Sequence, residues 1–589
     1  MPELDPNLSV SLTTRHALAL LSRLDPNAER EVFLLAALLL TLAERGETSL
    51  DLAEVAGEEL GSWLGGGAIG LRAPDVTRWE EALTKSTLVG DRDDFTPLLR
   101  TGAGRYALQR CWKQEMSLAD ALLARARHTP SVTPEALAAG LQRHFPKAKN
   151  DPGEAGQEQA AQRAVTHGVA IISGGPGTGK TATVVRILAL LLELGGPEQR
   201  IALAAPTGKA AARLRESIVA ARRHLQISNA VRHALPDQVQ TLHRLLGAGR
   251  LPGQFRYGSR VSLPVDVVVV DEASMVDLAL FSRLLQALPA TARLILLGDR
   301  DQLASVEAGA VLGDLAAVAQ QGETRLTNCF SHLRHSYRFA ADSGIGRLCR
   351  QINAGEDKAA LATLQQDSVG LAWSDLPEVS ALAAPLAAAT LAGYRYWLTA
   401  STPQEALARF WSLMILCAVR KGPYGVERVN TLVEQQLATA GLITPHTLFY
   451  AGRPVMIRRN APELDLFNGD IGLILPAPEN PDRLRAFFPD SEGGVRSIAP
   501  ARLPEHETVY AMTVHKSQGS EFDHILLLLP ETAGERIGRE LLYTAVSRGR
   551  KAVTIWGNKG NFCTAVARRL QRRSGLQAAL ALAAAEEKE

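Results

Sequence analysis

One short string constrains the fold of this chain more than any other: residues 173–181 read Ser-Gly-Gly-Pro-Gly-Thr-Gly-Lys-Thr. The apolar run 169–172 precedes it, and residues 182–194 follow with the pattern of a helix. Together they give G-x-x-x-x-G-K-[ST] in the strand–loop–helix setting that this motif requires. Glycines let backbone N–H groups surround phosphate oxygens, and the helix N-terminus adds a positive end. The sequence therefore predicts an α/β fold that binds a nucleoside triphosphate.

The residues of this phosphate loop have separate predicted roles. We expect Lys180 to reach the β- and γ-phosphates and the Thr181 hydroxyl to hold Mg²⁺. The predicted phosphate cradle consists of Ser173, Gly174, Gly175, Pro176, Gly177, Thr178, Gly179, Lys180 and Thr181. A glycine-rich turn without a ligand is the alternative, and the flanking strand and helix argue against it.

Two later apolar runs end in polar strings. Residues 267–270 are four valines, and Asp271 and Glu272 follow them directly. We expect Asp271 to join the Mg²⁺ shell and Glu272 to orient or deprotonate the attacking water. Residues 294–297 lead into Gly-Asp-Arg-Asp-Gln, whose Gln302 is suited to sense the γ-phosphate. An acidic turn and a plain loop are the respective alternatives.

Two arginines in the second half of the chain complete the predicted catalytic set. Arg338 lies in Leu-Arg-His-Ser-Tyr-Arg-Phe, and Arg548 lies in Tyr-Thr-Ala-Val-Ser-Arg-Gly-Arg. Each alone reads as a solvated surface arginine. If two α/β regions face each other, both guanidinium groups can reach the γ-phosphate and stabilise charge in the transition state. Hydrolysis would then depend on domain closure.

The 589 residues divide by pattern into several regions. Residues 1–148 show helical spacing and are expected to form an interaction domain. Residues 149–330 alternate short continuous apolar strands with helices, which indicates a parallel sheet covered on both faces. Residues 331–575 read as a second α/β domain with a small β-barrel inserted at about 450–508, and residues 576–589 read as a frayed tail. The net charge of +2 leaves any nucleic-acid path to a local groove.

Three further strings complete an ordered set: 205–211, 241–247 and 513–522. With the strings above, from about residue 157 to 557, they resemble superfamily 1 helicases of the RecD-like branch. The resemblance implies two RecA-like motor domains that contact single-stranded DNA through its sugar–phosphate backbone, without reading sequence. The implied DNA contacts are Pro206, Thr207, Lys209, Thr241, His243, Thr513, His515, Lys516 and Gln518. For His243, a structural role is as well supported as a DNA contact.

The same resemblance gives two further expectations. Gln157 stands where such helicases read adenine, which makes ATP the expected nucleotide, although Gln159 and Gln162 offer the same side chain nearby. The segment 248–262 occupies the place of a small strand-separating pin. Phe255 and Tyr257 would be available there for stacking on bases, and an ordinary surface hairpin is the alternative.

Within this branch the chain is most similar to the RecD family, the alpha subunits of exodeoxyribonuclease V (RecBCD). Strings 417–426 and 467–472 carry this likeness, together with the N-terminal domain, which in that family docks onto RecC. The resemblance implies 5′→3′ movement on single-stranded and duplex-end DNA. It also implies RecB-like and RecC-like partners in a heterotrimer, a nuclease in the RecB subunit, and roles in double-strand break repair and linear-DNA degradation. A stand-alone RecD-like helicase and a mainly assembly or regulatory subunit are the alternatives.

The remaining sequence features concern location. The five cysteines form no C-x-x-C pair, which fits reduced thiols. The start of the chain lacks the basic and apolar segments of a secretory signal, and no apolar run is long enough to span a membrane. We therefore expect a cytoplasmic bacterial protein without a membrane partner.

Overall fold

A computed structural model gives the structure of this chain. It describes residues 10–64, 70–223, 225–249, 253–305, 307–339, 343–366, 369–490, 494–532, 534, 537–570 and 572–586. Among the helices within these ranges, none combines the length and the apolar character needed to cross a bilayer.

The N-terminal domain combines helices with a small sheet. Its helices are α1 Leu12–Leu24, α2 Arg30–Glu44, α3 Leu52–Val55, α4 Leu60–Leu64, α5 Val76–Lys85, α6 Gln109–Arg127 and α7 Pro134–His144. Its strands are β1 Ser49–Asp51, β2 Val89–Asp91, β3 Leu98–Gly102 and β4 Arg105–Leu108, in the order β1-β4-β3-β2. The expectation of a purely helical domain was wrong in this respect. Strands of three to five residues are too short for the period-2 pattern to stand out.

The first α/β domain is a parallel six-stranded sheet with helices on its faces. Its helices are α8 Pro152–Thr166, α9 Lys180–Gly195, α10 Gly208–Arg222, α11 Asn229–Ala234, α12 Leu242–Leu245, α13 Leu278–Ala287, α14 Val311–Gln321 and α15 Leu326–Cys329. Its strands are β5 Val169–Gly174, β6 Ile201–Ala205, β7 Val239–Thr241, β8 Val267–Val270, β9 Arg293–Gly298 and β10 Phe330–Leu333, in the order β10-β5-β9-β8-β6-β7. The apolar runs 169–172, 267–270 and 294–297 form strands β5, β8 and β9, as expected from sequence. Because β10 pairs with β5 in this sheet, the domain extends past the predicted boundary at residue 330.

The second α/β domain contains a parallel sheet and an inserted antiparallel one. Its helices are α16 Gly344–Ala354, α17 Asp357–Gln365, α18 Ala383–Leu398, α19 Pro403–Phe410, α20 Val426–Thr439, α21 Arg539–Val546 and α22 Lys559–Ala567. The strands of the two sheets are β11 Leu371–Asp375, β12 Leu413–Cys417, β13 Arg453–Ile457, β14 Ile471–Ala477, β15 Asn480–Pro489, β16 Val495–Ile498, β17 His506–Thr508, β18 Ala511–Thr513, β19 Phe522–Leu528 and β20 Gly549–Gly557. The parallel sheet has the order β11-β20-β19-β12-β18.

The inserted sheet lies where the sequence predicted a small β-barrel. Its strand order is β16-β15-β14-β13-β17, and every pairing in it is antiparallel. As far as the described strands go, β16 and β17 form the two edges and do not pair with each other. The insertion is therefore an open sheet over a small apolar core, and closure into a barrel is not confirmed.

The C-terminal segment is ordered, which corrects the expectation of a frayed tail. Residues 572–586, called the C-terminal strap below, leave the second α/β domain and end in α23 Leu576–Glu586. Leu576 and Leu580 are fully buried in the core that also contains α6 and α14 residues. A run of alanines and leucines gives little local evidence of what it packs against, so only the tertiary contacts reveal its role.

The strap encloses a carboxylate, Glu115 of α6, whose side chain is completely buried. Its Oε1 accepts hydrogen bonds from the Thr48 hydroxyl at 2.6 Å and the Gly575 N–H at 2.9 Å. Burial raises the pKa of Glu115 from 4.5 to about 7, and it raises the pKa of neighbouring Asp314 to about 6. The folded state therefore holds these protons more tightly than the unfolded chain. The free energy by which these protonated carboxyls stabilise the fold is complete below their pKa values in the unfolded chain. It is lost as the pH rises through their pKa values in the folded protein.

We expect this buried carboxyl to give the protein a pH-dependent stability. The raised pKa of Glu115 corresponds to about 3 kcal/mol, lost between about pH 5 and about pH 8. Because glutamine resembles the protonated acid, Glu115→Gln should flatten the fall of the thermal unfolding midpoint over this range. The exposed Glu81→Gln is the matched control and should follow the unaltered protein. Parallel curves for all three proteins would contradict the assignment.

Candidate functional site

The phosphate loop joins β5, whose six residues are all buried, to the N-terminus of α9. Gly177 and Gly179 have φ values of +77° and +80°, which side-chain-bearing residues rarely adopt. A Cβ on Gly177 would overlap the Arg338 Cβ, and one on Gly179 would overlap the Gln157 amide. Glycine is therefore required at both positions by conformation and by space.

The polar side chains of the loop point back toward its own carbonyls. Lys180 Nζ donates to the carbonyls of Gly174 and Gly175, the latter at 3.1 Å. Thr178 Oγ1 also donates to the Gly175 carbonyl, at 2.9 Å. Thr181 follows Lys180 in the first turn of α9 and is half-buried. The lysine and the half-buried hydroxyl thus lie in the first turn of α9, directly after the loop, and their roles toward a phosphate stay a prediction.

The two carboxylates lie at the carboxyl end of β8, two strands away from β5. The Glu272 N–H donates to Asp271 Oδ1 at 2.9 Å, and Glu272 has a left-handed φ of +50°. Burial and the adjacent Glu272 raise the pKa of Asp271, while Lys180 acts to lower it. Asp271 therefore lies close enough to Lys180 for the two charges to interact.

The loop after β9 carries Gln302, and its neighbours Asp299 and Leu303 bond to the second α/β domain. Gln302 Nε2 donates to Asp299 Oδ2 at 2.9 Å, and its buried Oε1 has no hydrogen-bond partner among the described atoms. Asp299 Oδ2 also accepts from the Tyr543 hydroxyl of α21, at 2.8 Å. A Cβ on Gly175 would be 2.7 Å from the same hydroxyl. Tyr543 of the second domain therefore bonds to the loop after β9 and packs beside the phosphate loop.

Arg338 lies directly on the phosphate loop. The Tyr337 N–H donates to the Gly177 carbonyl at 2.8 Å, which fixes the chain at this point. Arg338 Nη2 forms an ion pair of 2.6 Å with Glu521 Oε1, and Arg213 of α10 approaches the same oxygen at 3.7 Å. Three residues from different parts of the chain therefore meet across the cleft between the two domains.

Arg548 lies deeper in the second domain, where only 4% of its surface is exposed. Its Nε donates to the Thr544 carbonyl at 3.1 Å and its Nη1 to the Ser520 carbonyl at 3.4 Å. Ser520 precedes Glu521, so Arg548 lies next to the backbone of the residue whose carboxylate pairs with Arg338. The structure thus brings both predicted arginines to residues 520–521.

Gln157 is the glutamine that the fold places at the nucleotide loop. It is buried in α8, and its Nε2 donates to the Thr178 carbonyl at 3.1 Å. The ring of Tyr337 lies within 3.8 Å of the Cβ position of Gly179 and is 50% exposed. An amide and an aromatic face therefore flank the same edge of the loop.

The predicted DNA-contacting threonines share one position in the fold. Thr207, Thr241 and Thr513 each lie at or just after the carboxyl end of a parallel strand, next to Pro206 in the first case. Thr207 and Thr241 cap the following helices, accepting from Ala210 N–H at 3.2 Å and Arg244 N–H at 3.3 Å. Such ends present hydroxyls and N–H groups suited to phosphate oxygens.

The side chains near these threonines differ in their exposure. His243 and Lys516 are exposed, and His515 is half-buried. The Lys516 ammonium pairs with Glu507 at 2.5 Å. Burial and the charge of Arg572 lower the pKa of His515, so its neutral form predominates at neutral pH. The exposure of His243 favours neither of its two sequence-based interpretations.

Two of the predicted DNA contacts lie between the domains instead of on an open edge. Lys209 Nζ lies 4.5 Å from the ring centre of Trp411 and donates to the Ser520 hydroxyl. Burial lowers its pKa to about 7. Gln518 is buried and donates to the Leu303 carbonyl at 2.7 Å. In this conformation both side chains connect the two α/β domains.

The segment 248–262 is only partly described, because residues 250–252 lie outside the described ranges. Ala248 and Phe255 form an isolated antiparallel bridge. Phe255 and Tyr257 are half-buried against the core of the first domain, and Arg283 lies 5.4 Å from the Phe255 ring centre. A strand-separating role for this segment stays a prediction.

Four residues beside the nucleotide loop carried no role in the sequence-based prediction: Arg213, Tyr337, Tyr543 and Thr544. Each lies in or within two residues of a recognised string, so the strings gave their approximate location. Their contacts depend on how two domains meet. Nothing in the local pattern distinguishes them from ordinary helix or loop residues.

Three family models match the chain. Residues 157–308 match an AAA domain, residues 508–556 match a UvrD-like helicase C-terminal domain, and residues 13–106 match the N-terminal domain of RecBCD enzyme subunit RecD. The last match covers the mixed helical and stranded region at the start of the chain.

Whole-length relatives carry related names. RecBCD enzyme subunit RecD of Mycobacterium tuberculosis is 38% identical over 95% of this chain and 93% of that protein. The Haemophilus influenzae protein of the same name is 34% identical over 80% of each chain. The ATP-dependent RecD2 DNA helicase of Deinococcus radiodurans is 30% identical over 82% of this chain and 60% of that protein. The Pif1 helicase structure from Candida albicans, at 15% identity over 69% of this chain and 95% of that one, has a TM-score of 0.37, too low to carry an argument.

Proposed function

The chain belongs to the RecD family of RecBCD enzyme subunits, and on that premise we propose that it is the ATP-dependent 5′→3′ DNA helicase subunit of a RecBCD-type complex. The single observation that supports this most directly is the meeting of both α/β domains at one phosphate loop. Tyr543 and the Arg338–Glu521 pair bridge the domains there. Nucleotide binding and domain closure are thereby coupled.

The residues at the loop divide the work of ATP hydrolysis. Lys180 and the loop N–H groups bind the β- and γ-phosphates, and Gln157 with Tyr337 holds the base. Glu272 orients the attacking water and accepts its proton. Gln302 senses the γ-phosphate. Arg338 and Arg548 stabilise the charge that develops in the transition state, so hydrolysis is fast only when the domains are closed.

Magnesium fits the donor set at this site. Burial and the adjacent Glu272 raise the pKa of Asp271 although Lys180 acts to lower it, so a divalent ion would relieve the excess negative charge. Thr181 and Asp271 would hold the ion together with phosphate oxygens. When bound, Mg²⁺ neutralises charge on the phosphates.

DNA binding is proposed along the carboxyl ends of the strands that carry Thr207, Thr241 and Thr513. Closure and opening of the cleft would change the distance between the first two and the third, because they belong to different domains. Such a change moves a bound single strand by steps. The contacts are to the DNA backbone, which allows movement regardless of sequence.

The proposed setting is a heterotrimer with RecB-like and RecC-like subunits in the bacterial cytoplasm. It acts on duplex ends in double-strand break repair, recombination and degradation of linear DNA, with the nuclease in the RecB-like subunit. The stand-alone alternative is less supported, because residues 13–106 match the RecD N-terminal model. If the chain acted mainly in assembly of the complex, the residues proposed to bind and hydrolyse the nucleotide would have no function.

A strand-displacement assay tests this function. The assembled complex should unwind duplexes with 5′ single-stranded tails faster than the complex carrying Lys180→Gln, and 3′-tailed duplexes should show a smaller difference. DNA-stimulated ATP hydrolysis by the chain should weaken as salt rises, because binding to phosphates releases counterions. Equal unwinding by both complexes on 5′ tails would leave only the assembly role.

A further inference from the structure

The loop that follows Gln302 is held by the second α/β domain at its start. The Leu303 N–H donates to the Thr544 hydroxyl at 2.9 Å, and the Leu303 carbonyl accepts from Gln518 Nε2 at 2.7 Å. Both the N–H and the carbonyl of Leu303 are thus hydrogen-bonded to the second domain across the cleft. We call the described residues 302–305 and 307–309 the sensor loop.

The far end of the sensor loop is held by the C-terminal strap. The Arg572 guanidinium donates to three loop carbonyls: those of Ser305, Glu307 at 2.7 Å and Gly309 at 3.2 Å. The Ser305 hydroxyl reaches the carbonyls of Glu307 and Gly309 as well, at 3.0 Å each. One side chain from the end of the chain therefore organises several carbonyls of a loop in the first domain.

The N-terminal domain joins at the same point. The Gly309 N–H donates to the Gly46 carbonyl at 3.0 Å. Gly46 has a φ of +88°, and a Cβ there would lie 2.8 Å from Arg572 Nη1, so Arg572 packs against this turn. The next strap residue, Arg573, pairs with Glu47 at 2.7 Å, and its carbonyl accepts from the Thr48 N–H at 2.7 Å.

Arginine is suited to this junction for a geometric reason. Its planar guanidinium has five N–H donors at fixed angles, whereas a lysine ammonium is a point donor on a flexible stem. Burial lowers the pKa of Arg572, because removing the guanidinium from water disfavours its charged form. The hydrogen bonds to its carbonyl partners offset this desolvation cost. Such an enclosed charge would be costly if those partners were absent.

We propose that Arg572 is a positioning residue for the sensor loop, and that through it the N-terminal domain controls the rate of ATP hydrolysis. The inference rests on the proposed function, because it takes Gln302 as the γ-phosphate sensor. Displacement of the Gly46 turn moves Gly309 and the Arg572 guanidinium, and the loop transmits this to Gln302. A subunit docked on the N-terminal domain would thereby act on a site in another domain.

The test uses the full chain assembled with its RecB-like and RecC-like partners, with DNA present. For Arg572→Ala we expect kcat for ATP to fall on the order of tenfold or more, because small misplacements of catalytic groups are costly. The KM for ATP should stay within about twofold, since the phosphate loop keeps its contacts. Arg572→Lys should recover part of the loss. Arg568→Ala is the matched control, because Arg568 also donates to carbonyls, those of Gly534 and Ile537, but within the second domain.

A second readout separates coupling from a merely structural role. Assembly with the partners should change the kcat of the unaltered chain, and this change should disappear in Arg572→Ala. An unaltered kcat in both Arg572 variants would overturn the proposal. So would a lower thermal unfolding midpoint combined with a normal kcat per folded molecule. The proposal would also fail if assembly with the partners did not change the kcat of the unaltered chain. If Arg572→Ala does not fold, Arg572→Lys decides. Absence of DNA-stimulated hydrolysis in the unaltered complex would instead refute the proposed function.

Discussion

Replacing Lys180 with glutamine should abolish ATP hydrolysis and leave the fold intact. Lys180 Nζ has only the carbonyls of Gly174 and Gly175 as described hydrogen-bond partners, and both belong to its own loop. Glutamine keeps the stem length approximately and can still donate to one carbonyl, so stability should change little. It removes the charge that faces the β- and γ-phosphates as the bond breaks. A preorganised donor of this kind contributes on the order of 10²–10³-fold to kcat.

The matched control for this variant is Lys551→Gln. Lys551 pairs with Asp523 at 2.8 Å on an exposed edge of the second domain, with 74% of its side chain accessible. Exposed pairs of this type contribute about 0–1 kcal/mol, so activity should not change. Hydrolysis would be measured with and without single-stranded DNA, and folding by thermal unfolding and by assembly with the partners. Retained hydrolysis in Lys180→Gln would show that the phosphates bind elsewhere.

The largest effect on the chemical step is expected for Arg338→Ala. The Arg338 Cβ lies against Gly177, and its guanidinium already reaches across the cleft to Glu521 at 2.6 Å. An arginine supplied to a γ-phosphate in this way is worth about 10³–10⁵-fold in kcat. ATP affinity should fall much less, because the loop N–H groups and Lys180 remain. Single-turnover hydrolysis and nucleotide binding, measured separately, distinguish the two effects.

Arg550→Ala provides the control for Arg338. Arg550 approaches the other oxygen of Glu521 at 3.6 Å, but 57% of its side chain is exposed. Both substitutions remove a partner of Glu521, and only one removes a cation from the phosphate loop. Equal losses in the two variants would mean that the loss comes from an unpaired Glu521, and the transition-state role of Arg338 would then be rejected.

The nucleotide site could be predicted in detail because its chemistry is local. The phosphate loop needs glycines at two left-handed positions and a lysine at the helix start, and these requirements fall within nine consecutive residues. Likewise Asp271, Glu272 and Gln302 follow continuous apolar strands, and parallel strands bring their carboxyl ends to one edge of the sheet. Sequence spacing alone therefore placed these groups near one another.

Other features were beyond the sequence because they depend on surfaces that meet only in the folded chain. The short strands of the N-terminal domain and the β10 edge strand each carry too few residues for a distinct period, and whether the inserted sheet closes depends on how its edges meet. The roles of Tyr543 and Arg213 depend on the cleft between two domains. Lys209 lies beside the Trp411 ring, since the approach of the second domain encloses it, and its contact with DNA stays a prediction.

The sequence by itself determined the two-domain α/β class and the position of the phosphate loop, because backbone conformation and phosphate chemistry restrict nearby positions strongly. Only the tertiary structure decided that the C-terminal strap returns to bind the sensor loop and the N-terminal domain. Residues 46, 309 and 572 are separated by hundreds of positions, and no local pattern marks a glycine carbonyl as the partner of a distant arginine. Packing of the three domains selects such contacts.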